Sequence, residues 1–169
     1  MPKNIKLTSL LFGKKGSELI EVTSPLKGKV IDITTVNDLV FSREMLGRGL
    51  AIVPSEGNLY APEDGYVKAL YPTNHAIGLV LDNGIEMLVH IGIDTVKLDG
   101  VGFTSNLSAN ERFTKGDVLI EFDTGFILGK GYDLATSVIV TNDNKYKTIE
   151  VVNVDQEVNT DSVILNVYK

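Results

Sequence analysis

Two histidines are the only imidazoles in the chain, and both have neighbours that suit chemistry. His90 lies inside the apolar run GIEMLVHIGIDTV, residues 84–96, with Gly92 two residues on and Asp94 beyond it. His75 follows Thr73 in PTNHAIG, residues 72–78. Imidazole titrates near neutral pH, ligates metals and acts as a base or nucleophile. A single histidine in an apolar strand is ordinarily a core residue with its polar atoms satisfied. Function therefore depends on whether the two rings meet.

The segment HAIGLVLDNGIEMLVHIG, residues 75–92, reads as two strands joined at Asn83-Gly84. A type I′ turn needs positive φ at both central residues, and Asn-Gly supplies it. With those two residues as the loop, Asp82 pairs with Ile85, and the ladder runs back through Leu79:Leu88 and Ile77:His90 to His75:Gly92. Cross-strand partners share a face. This ladder places Ala76, Gly78, Val80, Met87, Val89 and Ile91 on a core face. Ile77, Leu79, Glu86, Leu88, Gly92 and both histidines fall on the other. Diagonal neighbours are about 7–8 Å apart at the backbone, so the rings can converge, with Gly92 leaving room beside them.

Three chemistries use such a pair. A catalytic zinc site normally takes three protein ligands; an aspartate is a candidate third, but the chain has no H-x-H or H-E-x-x-H. A hydrolytic acid–base pair needs a nucleophile, and no G-x-S-x-G accompanies the histidines. A phosphohistidine site needs one imidazole as nucleophile and a second to stabilise phosphoryl oxygens. The third fits the residues best.

The rest of the chain bounds what can position them. At 169 residues, 43% hydrophobic and 22% charged, it suits one well-buried domain. No apolar run approaches the roughly 20 residues that cross a bilayer. The first residues, MPKNIKLTSLLFGKKG, lack a secretory core and cleavage site. The absence of cysteine removes disulfides, thiol catalysis and cysteine-bound metal, and fits a cytoplasmic location. Net charge is −6 with scattered lysines and arginines, which argues against nucleic acid and suits a basic protein partner.

Short β-branched runs bounded by Gly, Pro, Asn and Asp recur: GKVIDI, GLAIVP, GYVKALYP, AIGLVLDNG, IEMLVHIGI, GDVLIEFD, TSVIVTN, TIEVVN and DSVILNVY. They predict an all-β chain, a compact antiparallel sandwich or barrel of many short strands. One or two short helical turns are expected, in FSREMLGRGL (41–50) and GFILGKGYDLAT (125–136). Two weak repeats point to internal duplication. SPLKGKV and APEDGYV share a proline-led turn feeding a strand, and FTKGDVLIEF and VNTDSVILNV share a polar turn before an apolar strand. Residues 1–18 read as a flexible leader and 19–169 as a single domain. Ile5, Leu7, Leu10, Leu11 and Phe12, with Lys3, Lys6, Lys14 and Lys15, would let that leader touch a membrane surface.

GIEMLVHIGIDTV resembles the signature of the glucose-type enzyme IIA family of the phosphoenolpyruvate-dependent sugar phosphotransferase system. SPLKGKV, VFSREMLGRGLAIVP, APEDGYV, PTNHAIG, LDGVGF and KGDVLIEFD resemble further family segments in family order, so the likeness covers roughly residues 22–167. The resemblance implies an antiparallel β-sandwich. It also implies a cytoplasmic carrier that takes a phosphoryl group from phospho-HPr and passes it to the IIB domain of a sugar permease. His90 would be phosphorylated on Nε2, with Nδ1–H held by a backbone carbonyl, Gly92 being the candidate. His75 would be the companion imidazole, oriented by Thr73. No cofactor is required beyond the covalent phosphoryl group. His75 and His90 with a partner's carboxylate would make an intermolecular zinc site.

The same resemblance implies an apolar docking apron of Val40, Phe41, Met45, Leu46, Tyr71, Leu88 and Val96, with Asp38 and Asp94 as acidic contacts for HPr. Val80 and Lys97 stand where the family's enterobacterial members carry carboxylates. These departures bear on regulatory targets outside the relay, such as glycerol kinase. Lysostaphin-type zinc peptidases have similar proline-led turns, but their H-x-H pair is absent. A regulatory module derived from the carrier is the other alternative, and retention of both histidines and Thr73 argues against it.

Overall fold

The computed structural model describes residues 18–169. The leader and its membrane-surface segment therefore lie outside the described residues, apart from Glu18. Fourteen strands, all paired antiparallel, form three open sheets among the described residues. The largest has the order β13 (Glu157–Val158), β2 (Gly28–Ile31), β3 (Arg48–Pro54), β11 (Thr136–Val140), β7 (Glu86–His90), β6 (Ala76–Leu81), β5 (Gly65–Leu70) and β9 (Arg112–Phe113). Two three-stranded sheets complete the fold: β1 (Leu19–Thr23), β14 (Val163–Tyr168) and β12 (Thr148–Val151), and β4 (Asn58–Tyr60), β10 (Val118–Phe122) and β8 (Phe103–Thr104). The result is a sandwich and not a closed barrel.

The main core draws from all three sheets, through residues such as Val22, Leu50, Leu59, Met87, Ile120, Val138 and Val167. Fully burying each such side chain is worth about 1.5–3 kcal/mol. A second cluster occupies the opposite face of the large sheet: Ile33, Val36, Phe41, Ala51, Ala76, Leu88, Ile93, Ala135 and Ile139. Central strands are thus buried on both sides, which explains why TSVIV in β11 is apolar or small throughout and not alternating.

All nine runs named from the sequence contain strands, and the duplication is present in the pairing. The eight-stranded order places β13 beside β2 at one end and β9 beside β5 at the other. β2 and β5 each open on the glycine of the proline-led turn. A Cβ on Gly28 would stand 2.1 Å from the Val53 carbonyl, and one on Gly65 would stand 2.3 Å from the Val80 carbonyl. Two short α-helices are present among the described residues. The first, α1 (Leu39–Ser42), begins at Asp38, whose carboxylate accepts the Val40 N–H at 2.9 Å. The second, α2 (Thr124–Gly129), begins at Asp123, whose carboxylate accepts the Phe126 N–H at 2.9 Å.

The hairpin register differs by one from the Asn83-Gly84 expectation. Leu81 N–H donates to Ile85 O at 2.9 Å and Gly84 N–H to Leu81 O at 2.9 Å, so the loop is Asp82-Asn83-Gly84. Gly84, at φ +96°, ends it in the manner of a three-residue loop with a glycine bulge. The cause is tertiary. Asn142 Nδ2 donates to Gly84 O at 3.0 Å, and Asn142 Oδ1 accepts the Glu86 N–H at 3.0 Å, which pins the far side of the turn. The observed pairs are Ala76:His90, Ile77:Val89, Gly78:Leu88, Leu79:Met87 and Val80:Glu86. A one-residue slip exchanges the faces of a strand. Ile77 and Leu79 therefore enter the main core, and Ala76, Gly78 and Val80 lie on the histidine face, the reverse of the sequence expectation for β6.

Candidate active site

His90 ends β7 on the face it shares with Leu88 and Glu86. Its cross-strand partners are small, Ala76 on β6 and Ser137 on β11, with Ala51 of β3 beyond Ser137. A row of Ala, His, Ser and Ala leaves a trough in which the imidazole lies half-buried. Phe41 of α1 covers its other side, with ring centroids 4.9 Å apart.

His75 reaches the same point by a turn and not by the ladder. It stands one residue before β6, after a tight turn in which Asn74 N–H donates to Tyr71 O at 2.8 Å and Asn74 adopts φ +56°. The His75 carbonyl accepts the Ile91 N–H at 2.8 Å, which ties this turn to the end of β7. The two imidazoles meet edge-to-face with centroids 4.9 Å apart. Tyr71 packs on His75 at 5.7 Å. His75 is only 5% exposed.

The hydrogen bonds differentiate the two rings. His90 Nδ1 is 2.9 Å from the Gly92 carbonyl, which can only accept, so Nδ1 carries the proton and Nε2 is the unprotonated nitrogen of the neutral ring. His75 Nδ1 is 2.5 Å from the Thr73 hydroxyl. Burial, with His90 adding to it, pushes His75 down to about 4. Burial also lowers His90, against the Gly92 carbonyl, Asp38 and Asp94, which favour its charged form. Both rings are neutral at pH 7, the state in which an imidazole is a nucleophile.

Gly92 is required for conformation. It sits at φ +75°, and a Cβ there would stand 2.5 Å from Thr95 Cγ2 and 2.9 Å from the Asp133 carbonyl. The open space beside it that the sequence suggested is instead filled by Thr95 and Asp133. As for metal, the two imidazoles supply half of a tetrahedral zinc set, and no group of three or more metal-ligating side chains occurs among the described residues.

Around the histidines, Val40, Met45, Leu46, Tyr71 and Val96 are exposed, at 39%, 67%, 48%, 42% and 50%. Phe41 and Leu88 are buried in the second cluster beneath them. Leu46, Lys68, Tyr71, Gly78 and Leu88 border a groove of about 350 Å³ beside the site. Asp94 is exposed and lies 3.9 Å from Lys97. Leu39, at 63% exposed, extends the apolar rim and was not singled out in the sequence. Its signal was present in the cap: with Asp38 as N-cap, Leu39 and Val40 open a helix whose only buried residue is Phe41.

An all-β sandwich that brings two neutral imidazoles together, one with a free Nε2, defines a paired-histidine site on a rigid scaffold. The family model described as phosphoenolpyruvate-dependent sugar phosphotransferase system, EIIA 1, matches residues 20–146. The β-glucoside-specific EIIBCA component of Halalkalibacterium halodurans is 50% identical over 126 residues, covering 75% of this chain and 20% of that protein. The corresponding component of Dickeya chrysanthemi is 46% identical over 129 residues, covering 76% and 20%. Among solved structures, the glucose permease IIA of Mycoplasma capricolum superposes with a TM-score of 0.80 at 36% identity, over 88% of this chain and 96% of that one. The chain belongs to the EIIA 1 family, a phosphotransferase component of the sugar phosphotransferase system. It spans about a fifth of the length of the two EIIBCA relatives.

Proposed function

We propose that residues 19–169 form one phosphohistidine carrier domain that accepts a phosphoryl group from phospho-HPr on His90 and passes it to the IIB domain of a sugar permease. The observation that carries this reading is the 2.9 Å contact from His90 Nδ1 to the Gly92 carbonyl, which leaves Nε2 as the nucleophile. In the accepting step the P–N bond to the donor breaks as a bond from phosphorus to His90 Nε2 forms, roughly in line, and the proton stays on Nδ1, donated to the Gly92 carbonyl. In transfer to IIB the P–Nε2 bond breaks as phosphorus bonds to the acceptor nucleophile of IIB, and His90 returns to its neutral form. Thr73 donates its hydroxyl proton to His75 Nδ1, so that His75 Nε2–H faces the phosphoryl oxygens. Positioning and electrostatics account for the catalysis, and the chemistry needs no metal.

The exposed ring of Val40, Met45, Leu46, Tyr71 and Val96 supports docking of both partners, with Phe41 and Leu88 as its floor and Asp38 and Asp94 as charged contacts. No helix of the described residues is long and apolar enough to cross a membrane. With no cysteine in the chain, we place the carrier in the cytoplasm. Incubation with phosphoenolpyruvate, enzyme I and HPr should add one acid-labile, base-stable phosphoryl group by intact mass, and none to His90→Ala. Phosphate on His75 or on a serine would overturn the assignment.

A further inference from the structure

Beyond His90, three consecutive peptide groups leave β7, and each is held by a different part of the fold. The first donates its Ile91 N–H to the His75 carbonyl at 2.8 Å. The second presents the Ile91 carbonyl, which accepts from the Thr95 hydroxyl. The third donates its Ile93 N–H to the Asp133 carbonyl at 2.9 Å and accepts His90 Nδ1–H on the Gly92 carbonyl at 2.9 Å. Apart from His90 itself, Thr95 is the one side chain in this set. It is wholly buried, at 0% exposed, and its methyl packs against the left-handed turn at Gly92.

Peptide groups are planar and turn as units, so the Gly92 carbonyl moves with the Ile93 N–H that Asp133 holds, and the torsions at Gly92 couple that peptide to the one before it. Among the described residues, only the Thr95 hydroxyl fixes that preceding peptide at its carbonyl end. A histidine tautomer is in turn set by the partner of the other ring nitrogen. We propose that Thr95 is a positioning residue for the relay: its hydroxyl, donated to the Ile91 carbonyl, aims the Gly92 carbonyl at His90 Nδ1 and keeps Nε2 unprotonated. The inference rests on His90 as the phosphoryl acceptor.

Thr95→Val keeps the side-chain volume and removes the donor, leaving the Ile91 carbonyl buried without its partner. Long-range nitrogen–proton NMR of the imidazoles should then show an increased Nε2–H tautomer of His90. The rate of phosphoryl acceptance should fall about tenfold with KM for phospho-HPr unchanged. Thr95→Ser restores the hydroxyl without the methyl and should return both tautomer and rate to near wild type. A folded Thr95→Val with the wild-type tautomer overturns the proposal. If Thr95→Val does not fold, the serine variant decides: a wild-type tautomer supports the hydroxyl's role, and a disturbed one assigns the effect to methyl packing and overturns it. The tautomer is read without phosphate. A wild-type protein that accepts no phosphate would therefore contradict the relay and leave this result standing.

Discussion

His75 and His90 touch, yet their partners suit them to different work. His90 donates from Nδ1 to a backbone carbonyl, whereas His75 faces a hydroxyl and is the more enclosed of the two. His75→Gln should therefore still accept phosphate from HPr on His90 but pass it to IIB far more slowly. Full transfer in a reconstituted sugar-phosphorylation assay would make His75 purely structural. The depressed titration of His75 has a further consequence for stability. An unfolded histidine binds a proton below about 6.5, but folded His75 does so only below about 4. Between those values the unfolded chain holds more protons, so this group's contribution is constant above the upper one and stability falls as pH drops toward the lower. Urea midpoints should decline over that window in the wild type and less steeply in His75→Gln; equal slopes would refute the assignment. The meeting of the two histidines was legible from the hairpin, although through a register one residue off, whereas the parts of Thr73 and the Gly92 carbonyl were legible only through the family resemblance. Thr95 and Asp133 were not, because their roles depend on backbone directions beyond β7 that no local pattern encodes.

At the scale of the hairpin, alternation in IEMLVHIGI gave the faces of β7 correctly, since both Met87 and Val89 enter the main core. The faces of β6 were inverted because Asn142, distant in sequence, holds a three-residue loop where Asn-Gly alone favours two. Leu88 keeps the histidine face but not its expected surroundings. On the sequence ladder it shares an open face with Ile77 and Leu79; in the structure it is 9% exposed and packs in the second cluster with Phe41 and Ile139. Leu88→Asp buries a carboxylate without a partner and should cost more than about 3 kcal/mol by denaturant unfolding. A variant that folds with wild-type stability would return Leu88 to the exposed docking surface.

For the whole molecule, the proline-led turns and the spacing of nine strands were enough for an all-β sandwich or barrel with internal duplication, and the family resemblance chose the sandwich. The short strands β4, β8, β9 and β13 carry too little pattern to be read from sequence, and β1, five residues long, was not among the nine runs. The proposed docking surface is likewise a property of the assembled fold, since Val40, Met45, Tyr71 and Val96 come from separate segments. Val96→Asp, at a 50% exposed position, should leave the fold intact and raise KM for phospho-HPr on the order of ten- to a hundredfold. Asp94→Asn should instead lower the association rate and its salt dependence, although Lys97 beside it offsets part of its field. The relay turns on a single nitrogen atom, His90 Nε2. Nitrogen–proton NMR of the phosphorylated protein should place phosphorus on Nε2 of His90 with Nδ1 still protonated; phosphorus on Nδ1, or on His75, would contradict it.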